Sequence, residues 1–257
     1  SRPPMNVLIV DDERLARLDL RHILSSHGDV NILGEATNAS EAEAQIQALK
    51  PDVIFLDIRM PDGSGFDLLE RLDDAPIVIF TTAYDEYALK AFEVNALDYL
   101  LKPIEKDRMN TALERVRAQM RDEEEPATKE VNTNQEKSPQ TTLRLESRVF
   151  LRDGDKCVFV QMRDIICIKV EGRYVEVHCY SQGRIEKLLL QRSLESLEER
   201  LPAELFFRAS RNVVINVQSI KSVETWFGGG MLATLESGEK IEISRRQAQK
   251  FKETMSL

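Results

Sequence analysis

The runs Val7-Leu8-Ile9-Val10-Asp11-Asp12-Glu13 and Val53-Ile54-Phe55-Leu56-Asp57 each end an apolar stretch in acid, and a third apolar run leads into Leu101-Lys102-Pro103. Short continuous apolar runs with polar ends suit strands buried on both faces, the condition of a parallel sheet covered by helices. If these are parallel strands of one sheet, Asp11, Asp12, Asp57 and Lys102 all emerge at its carboxyl edge, where open α/β sheets carry their sites. Carboxylates gathered beside an ammonium group make a divalent-metal and phosphoryl site.

The surrounding pattern supports that geometry. Between residue 5 and about residue 120, short β-branched runs alternate with amphipathic stretches, as in βα units around a parallel sheet. Residues 7–10, 31–34, 53–56, 77–80 and 98–101 are the five expected strands, the second short enough to be an edge. Leu15, Leu18, Leu20, Ile23 and Leu24 recur at near-helical spacing, as do Ala88, Leu89 and Phe92, and later Met109, Leu113, Val116 and Met120. Mg²⁺ is usually held by one or two carboxylates plus phosphate oxygens, and Asp12 and Asp57 can supply those carboxylates. Lys102 is the expected counter-charge. Thr82, at the end of the fourth run, can hydrogen-bond an oxygen of a phosphoryl group on Asp57, and Ala83 beside it leaves room.

Asp11-Asp12-Glu13, Asp57 within Leu56-Asp57-Ile58-Arg59-Met60-Pro61, Thr82-Ala83, Tyr99 and Lys102-Pro103 occur in an order that resembles the receiver domain of bacterial two-component response regulators. The resemblance implies a flavodoxin-like, doubly wound, parallel five-stranded fold. It implies phosphorylation of Asp57 by a sensor histidine kinase, with Mg²⁺ bound by Asp12, Asp57 and the Arg59 carbonyl and with Asp11 assisting through water. Thr82 and Tyr99 would be the switch pair, Lys102 would contact the phosphoryl oxygen, and the Lys102-Pro103 bond would be cis. Taken singly, Asp11, Asp12 and Asp62 read as turn or cap residues and Thr82 as an ordinary strand end. A phosphatase of the haloacid-dehalogenase type would want an acid two residues after Asp57, where Arg59 stands.

The chain has 257 residues, enough for two domains. Residues 1–120 carry about 13 basic and 22 acidic side chains, residues 121–141 about 3 and 6, and residues 142–257 about 19 and 16. The overall charge of −9 therefore hides a basic C-terminal part. The charged run Arg121-Asp122-Glu123-Glu124-Glu125-Pro126 closes the last amphipathic stretch, Ala127 to Gln140 is rich in Thr, Asn, Gln, Glu, Lys and Ser, and residues 122–141 read as a flexible linker between a domain at 5–121 and another at 142–257. Cys157, Cys167 and Cys179 lack CxxC pairing, and only His178 lies near at ligand spacing, so buried thiols are expected. No stretch nears the roughly 20 apolar residues of a membrane span, which leads to the expectation of a cytoplasmic protein without membrane insertion. Ser1-Arg2-Pro3-Pro4 before Met5 reads as a cloning remnant.

After Thr142 closely spaced short strands signal all-β packing, with helical character only at residues 192–200 and 245–254. Two helices joined by a tight turn, as a helix-turn-helix needs, are absent. Basic residues gather in Glu171-Gly172-Arg173-Tyr174, Arg208-Ala209-Ser210-Arg211-Asn212 and Ser244-Arg245-Arg246-Gln247. Arg can pair with guanine or phosphate, Asn with adenine and Ser with backbone oxygens, so loops can do a helix's work in a groove. The same arginines can also simply keep a β domain soluble.

The run from Leu205 to Asn216, then Ile220-Lys221-Ser222-Val223 and Ile243-Ser244-Arg245-Arg246, resembles the LytTR DNA-binding domain, as does the run from Ile166 to Val175. That resemblance implies an elongated β fold whose loops enter successive major grooves of double-stranded promoter DNA, at Arg173, at Arg211 with Ser210 and Asn212, and at Arg246 with Arg245. One departure is Ser210, where many members carry His. Together the resemblances imply a phosphorylation-controlled transcriptional regulator, a homodimer on activation, with RNA polymerase as a further partner. The rivals are a switched β domain gripping protein or RNA, and an enzyme that turns over a diffusible phosphate ester.

Overall fold

Strand β1 (Met5–Val10) is buried along nearly its whole length, and it sits inside a parallel sheet with β2 (Val30–Ala36) on one side and β3 (Val53–Asp57) on the other. The computed structural model describes residues 2–83, 96–124, 146–154 and 156–255. These fall into two compact units, 2–124 with 154 and 156–159, and 146–153 with 160–255.

In the first unit β6 (Ile77–Thr82) and β7 (Asp98–Leu101) complete the order β2-β1-β3-β6-β7, a parallel five-stranded sheet with the longer-than-expected β2 at one edge. Two residues each of β4 (Arg59–Met60) and β5 (Gly63–Ser64) form a small hairpin after β3. Helices α1 (Arg14–Leu24) and α4 (Lys106–Glu124) cover one face, where Leu20, Leu24, Met109, Leu113 and Val116 pack on Val7, Ile9, Phe55, Ile79 and Leu100. Full burial of such a side chain contributes about 1.5–3 kcal/mol. On the other side α3 (Gly65–Glu70) sets Phe66 against Phe80, ring centroids 5.3 Å apart. Helix α2 (Ala39–Leu49) starts at Asn38, whose side chain accepts from the Glu41 N–H.

The helical stripe expected in α1 divides in the structure. Leu20 and Leu24 are buried, but Leu15 is 73% and Leu18 is 48% exposed, because they fall outside the arc that faces the sheet. Ala88, Leu89 and Phe92 lie outside the described residues, as does most of the expected linker.

The second unit is built on an antiparallel five-stranded sheet, β12-β11-β10-β14-β13. Its strands are β10 (Ile165–Glu171), β11 (Tyr174–Ser181), β12 (Arg184–Leu190), β13 (Phe206–Ser210) and β14 (Val213–Asn216). Strands β8 (Arg148–Asp153) and β9 (Lys156–Gln161) precede it in the chain. A three-stranded sheet follows, β15 (Ile220–Thr225), β16 (Met231–Leu235) and β17 (Lys240–Ile243). The helices are α5 (Leu194–Glu198) and α6 (Arg245–Thr254). Ile166, Ala209 and Ile215 of the larger sheet pack with Ala233, Leu235, Ile241 and Ile243 of the smaller and with Ala248 and Phe251 of α6. Cys157, Cys167 and Cys179 are buried.

Sequence pattern does not anticipate β8 or β13. In β13 the register shifts between Arg208 and Ser210, so Phe206 and Ala209 are the buried residues and strict alternation is lost.

Candidate functional site

Strand ends gather the acidic residues. Asp11 follows β1, Asp57 closes β3, Thr82 closes β6 and Lys102 follows β7. Each lies at the carboxyl edge because all four strands run parallel. One oxygen each from Asp11, Asp12 and Asp57 can lie within 4.8 Å of the others. Asp11 is fully buried, Asp57 is buried and Asp12 is exposed.

Local contacts hold the group in place. Asp11 Oδ1 accepts the Glu13 N–H at 2.9 Å, and Arg17 Nη1 donates to the Asp11 carbonyl at 2.8 Å. The Arg59 N–H donates to Asp57 Oδ1 at 3.3 Å. At Gly65 an added Cβ would stand 2.8 Å from the Asp57 carbonyl oxygen, so only glycine lets α3 start this close to the site. Asp62 accepts from the Ala39 and Ser40 N–H groups at 2.8 and 3.1 Å, tying the β4–β5 turn to the start of α2. Those two N–H groups hold its carboxyl below the usual range.

Lys102 supplies the opposing charge. Its Nζ forms an ion pair with Asp11 Oδ2 at 2.6 Å and donates to Asp57 Oδ2 at 3.3 Å. Its backbone N–H donates to the Thr82 carbonyl at 2.7 Å, which links two strand ends directly. The Lys102-Pro103 bond is cis. Burial works against the Lys102 charge, but Asp11 and Asp57 outweigh it and keep the ammonium above its ordinary pKa. Burial pushes the Asp57 carboxyl up to about 6; Lys102 pulls against that and Asp11 adds to it.

A cleft opens here between Asp12, Asp57, Arg59, Pro61, Ala83 and Lys102. Three carboxylates against one ammonium leave excess negative charge in a set of oxygen donors, which fits a hard divalent cation that keeps some of its water. Tyr99 lies half-buried on β7 opposite Phe80. Its carbonyl accepts from Arg108 Nη2 at 2.9 Å, and Arg108 also pairs with the buried Asp98 at 2.7 Å.

The second unit brings together the three basic segments, which are far apart in sequence. Arg173 is exposed in the β10–β11 turn, and Arg211 and Asn212 are exposed in the β13–β14 turn. Lys169 of β10 pairs with Val213 of β14, and the Val170 N–H donates to the Asn212 carbonyl at 2.9 Å, so both turns lie at one end of the sheet. The Ser244 N–H donates to the Ala209 carbonyl at 3.2 Å, which brings the start of α6, with Arg245 and Arg246 exposed, to the same end. Ser210 is half-buried, and its hydroxyl accepts the Asn212 N–H at 3.3 Å.

Arg208 has a part that sequence reasoning missed. Its Nε donates to the Ser210 carbonyl at 2.8 Å and its Nη2 to the Arg211 carbonyl at 2.6 Å, while Nη1 pairs with Glu198 of α5. A guanidinium fork bridging two carbonyls of one turn fixes its shape. The only signal in sequence is its place among the four basic or polar residues of Arg208-Ala209-Ser210-Arg211-Asn212.

Residues 7–114 match the family described as the response regulator receiver domain, and residues 155–256 match the LytTr DNA-binding domain. The Sensory transduction protein LytT of Enterococcus faecalis is 37% identical over 256 residues, 98% of this chain and 100% of that protein. The Transcriptional regulatory protein BtsR of Salmonella typhi is 36% identical over 255 residues, with the same 98% and 100% coverage. Among solved structures, the response regulatory domain of protein mrkE from Klebsiella pneumoniae is 34% identical, covering 46% of this chain and 99% of that one with a TM-score of 0.43. The acidic strand edge and the basic loop cluster thus belong to the two halves of one regulator, and the chain is a member of the two-component response regulators that join a receiver domain to a LytTR DNA-binding domain.

Proposed function

We propose that this chain accepts a phosphoryl group on Asp57 from a sensor histidine kinase and, so modified, dimerises and binds promoter DNA to regulate transcription. The observation that carries the reading is the meeting of Asp11, Asp12, Asp57 and Lys102 at one strand edge. Above pH 6 the Asp57 carboxylate is largely ionised. One of its oxygens attacks the phosphorus of a phosphohistidine, the P–N bond breaks with its electron pair going to the imidazole nitrogen, which takes up a proton from solvent, and an acyl phosphate remains.

Asp11, Asp12, Asp57 and the Arg59 carbonyl would hold Mg²⁺, Asp11 through water. The bound ion supplies positive charge that offsets the phosphoryl oxygens. Lys102 keeps its proton and pairs with a phosphoryl oxygen. Thr82 moves its hydroxyl toward the acyl phosphate and Tyr99 turns inward, which reshapes the face built from β7 and α4. The modification adds roughly −1.5 to −2 charges. Asp57 then loses its group slowly as phosphate, so the chain is no turnover enzyme.

The working division is a receiver at 5–121, a flexible linker at 122–141 and a DNA-binding domain at 142–257, acting in the cytoplasm. Arg173, Ser210, Arg211, Asn212, Arg245 and Arg246 form the duplex-facing surface. A dimer offers two such surfaces to half-sites about 10–10.5 base pairs, or a multiple, apart, with RNA polymerase the downstream partner.

Incubation with acetyl phosphate and Mg²⁺, followed by intact mass and duplex retention, tests the reading. The expected result is one added phosphoryl group, absent in D57N, together with tighter retention and a doubled particle mass. A chain that gains no phosphoryl group and stays monomeric with beryllofluoride would refute it.

A further inference from the structure

The turn Trp226-Phe227-Gly228-Gly229-Gly230 between β15 and β16 holds an aromatic ring out into solvent beside the basic cluster. Phe227 is 83% exposed, the highest value for a large apolar side chain among the described residues. Single exposed apolar residues are ordinary, but this turn is built to fix its ring. Gly228 and Gly229 have φ of 66° and 84°, a conformation that other residues adopt only with strain. At Gly230 an added Cβ would lie 2.7 Å from the Ile243 carbonyl oxygen. The Trp226 N–H donates to the Gly230 carbonyl at 3.0 Å, and its indole N–H to Glu242 at 3.2 Å. The half-buried Trp226 ring meets Phe227 edge to face, centroids 4.9 Å apart.

The turn also touches the arginine cluster. A Cβ on Gly229 would sit 3.4 Å from Cγ and Cδ of Arg245. Arg245 opens α6, whose start is bonded to Ala209 beside the Ser210-Arg211-Asn212 turn. The Phe227 turn, the start of α6 with the exposed Arg245 and Arg246, and the turn holding the exposed Arg211 therefore follow one another along the fold. An occupant of all three must be anionic beside the guanidinium groups and apolar beside the ring. The sugar–phosphate edge of a duplex has both properties, with phosphate oxygens alternating with the apolar faces of deoxyribose.

We propose that Phe227 is a duplex-contacting residue that packs on deoxyribose next to the phosphates taken by Arg245, adding affinity without sequence preference. This rests on the reading that the second unit binds duplex DNA. A neutral contact raises affinity but releases no counterions, so it leaves the salt slope of binding unchanged.

The test uses the full chain with Mg²⁺ and beryllofluoride, a duplex recovered by selection from a random pool, and a scrambled duplex of equal length. Affinity is measured by anisotropy across a salt series for wild type, F227A, F227Y and R245Q. F227A is expected to bind both duplexes roughly five- to thirtyfold more weakly at an unchanged salt slope. F227Y is expected to bind near the wild-type level and R245Q to lower the slope by about 0.9. Trp226 is the single tryptophan of the chain, so its emission reports whether the variant turn is intact and whether duplex reaches it. F227A affinity within twofold of wild type on both duplexes overturns the proposal. So does a loss confined to the selected duplex, which would make Phe227 a base-step reader, or a change in self-association alone. If wild type retains neither duplex, the DNA-binding reading itself falls, and this proposal falls with it.

Discussion

Lys102 Nζ lies 2.6 Å from Asp11 Oδ2, a carboxylate oxygen with no exposure to solvent, although the two residues leave the same sheet edge from β7 and β1, with β6 and β3 between them. A buried carboxylate needs a compensating charge, and here one ammonium serves Asp11 and Asp57 together. Removing it leaves two facing carboxylates without a cation. K102M is expected to lose about 1–3 kcal/mol of Mg²⁺-free stability at pH 7.5 in urea unfolding. Added Mg²⁺ should recover part of that. Unchanged stability would mean that Lys102 does not brace the cluster.

Asp57 makes the Mg²⁺-free receiver sensitive to pH. Its folded pKa of about 6 lies above the ordinary 3.8, so between those values the folded state binds more protons than the unfolded one. Stability therefore falls as pH rises from about 4 to about 6 and stays lower above it. D57N should remove this slope and be more stable at pH 7.5 by up to about 3 kcal/mol. Thermal melts of both proteins across that range, without divalent ions, measure the difference. A parallel pH profile for the two would show that Asp57 is not the group responsible.

Mg²⁺ acts on the same carboxyls with the opposite pH sense. Protons compete with the cation for Asp57, so Mg²⁺ affinity should fall as pH drops through about 6. Titration calorimetry at pH 7.5 and pH 5 is expected to show weaker binding at the lower value and little binding by D57N at either. Equal affinity at both would place the ion elsewhere.

Arg208 braces the β13–β14 turn through two carbonyls. R208A should cost about 1 kcal/mol of stability and weaken duplex binding as much as loss of Arg211, although Arg208 need not touch DNA. R208K should restore little, because an ammonium cannot span both carbonyls as the fork does. Wild-type DNA affinity in R208A would show that the turn keeps its shape unaided.

R211A and R246A separate base reading from charge. If either side chain reads a base, its removal should cost about 1–3 kcal/mol on a selected duplex and relax the preference at one position of the site. A phosphate contact would instead weaken selected and scrambled duplexes alike. Binding to both duplexes across a salt series distinguishes the two.

Much of this protein is determined by local sequence. Strands that are apolar on both faces and end in Asp11 or Asp57 announce a parallel sheet, and parallel direction alone puts Asp57, Thr82 and Lys102 on one edge. The clustered turn arginines were legible in the same way, since turns are written in short runs. Tertiary structure decided the rest. Leu15 and Leu18 share the helical period of Leu20 and Leu24, yet only docking on the sheet determines which part of the arc is buried. The bulge in β13 appears only against its partner strand. The meeting of Arg173, Arg211 and Arg245 at one end of a sheet, and of Phe227 beside them, depends on antiparallel register and on the Ser244–Ala209 bond. Periodicity reports which face of an element is apolar, whereas long-range pairing determines what that face and its loops come to meet.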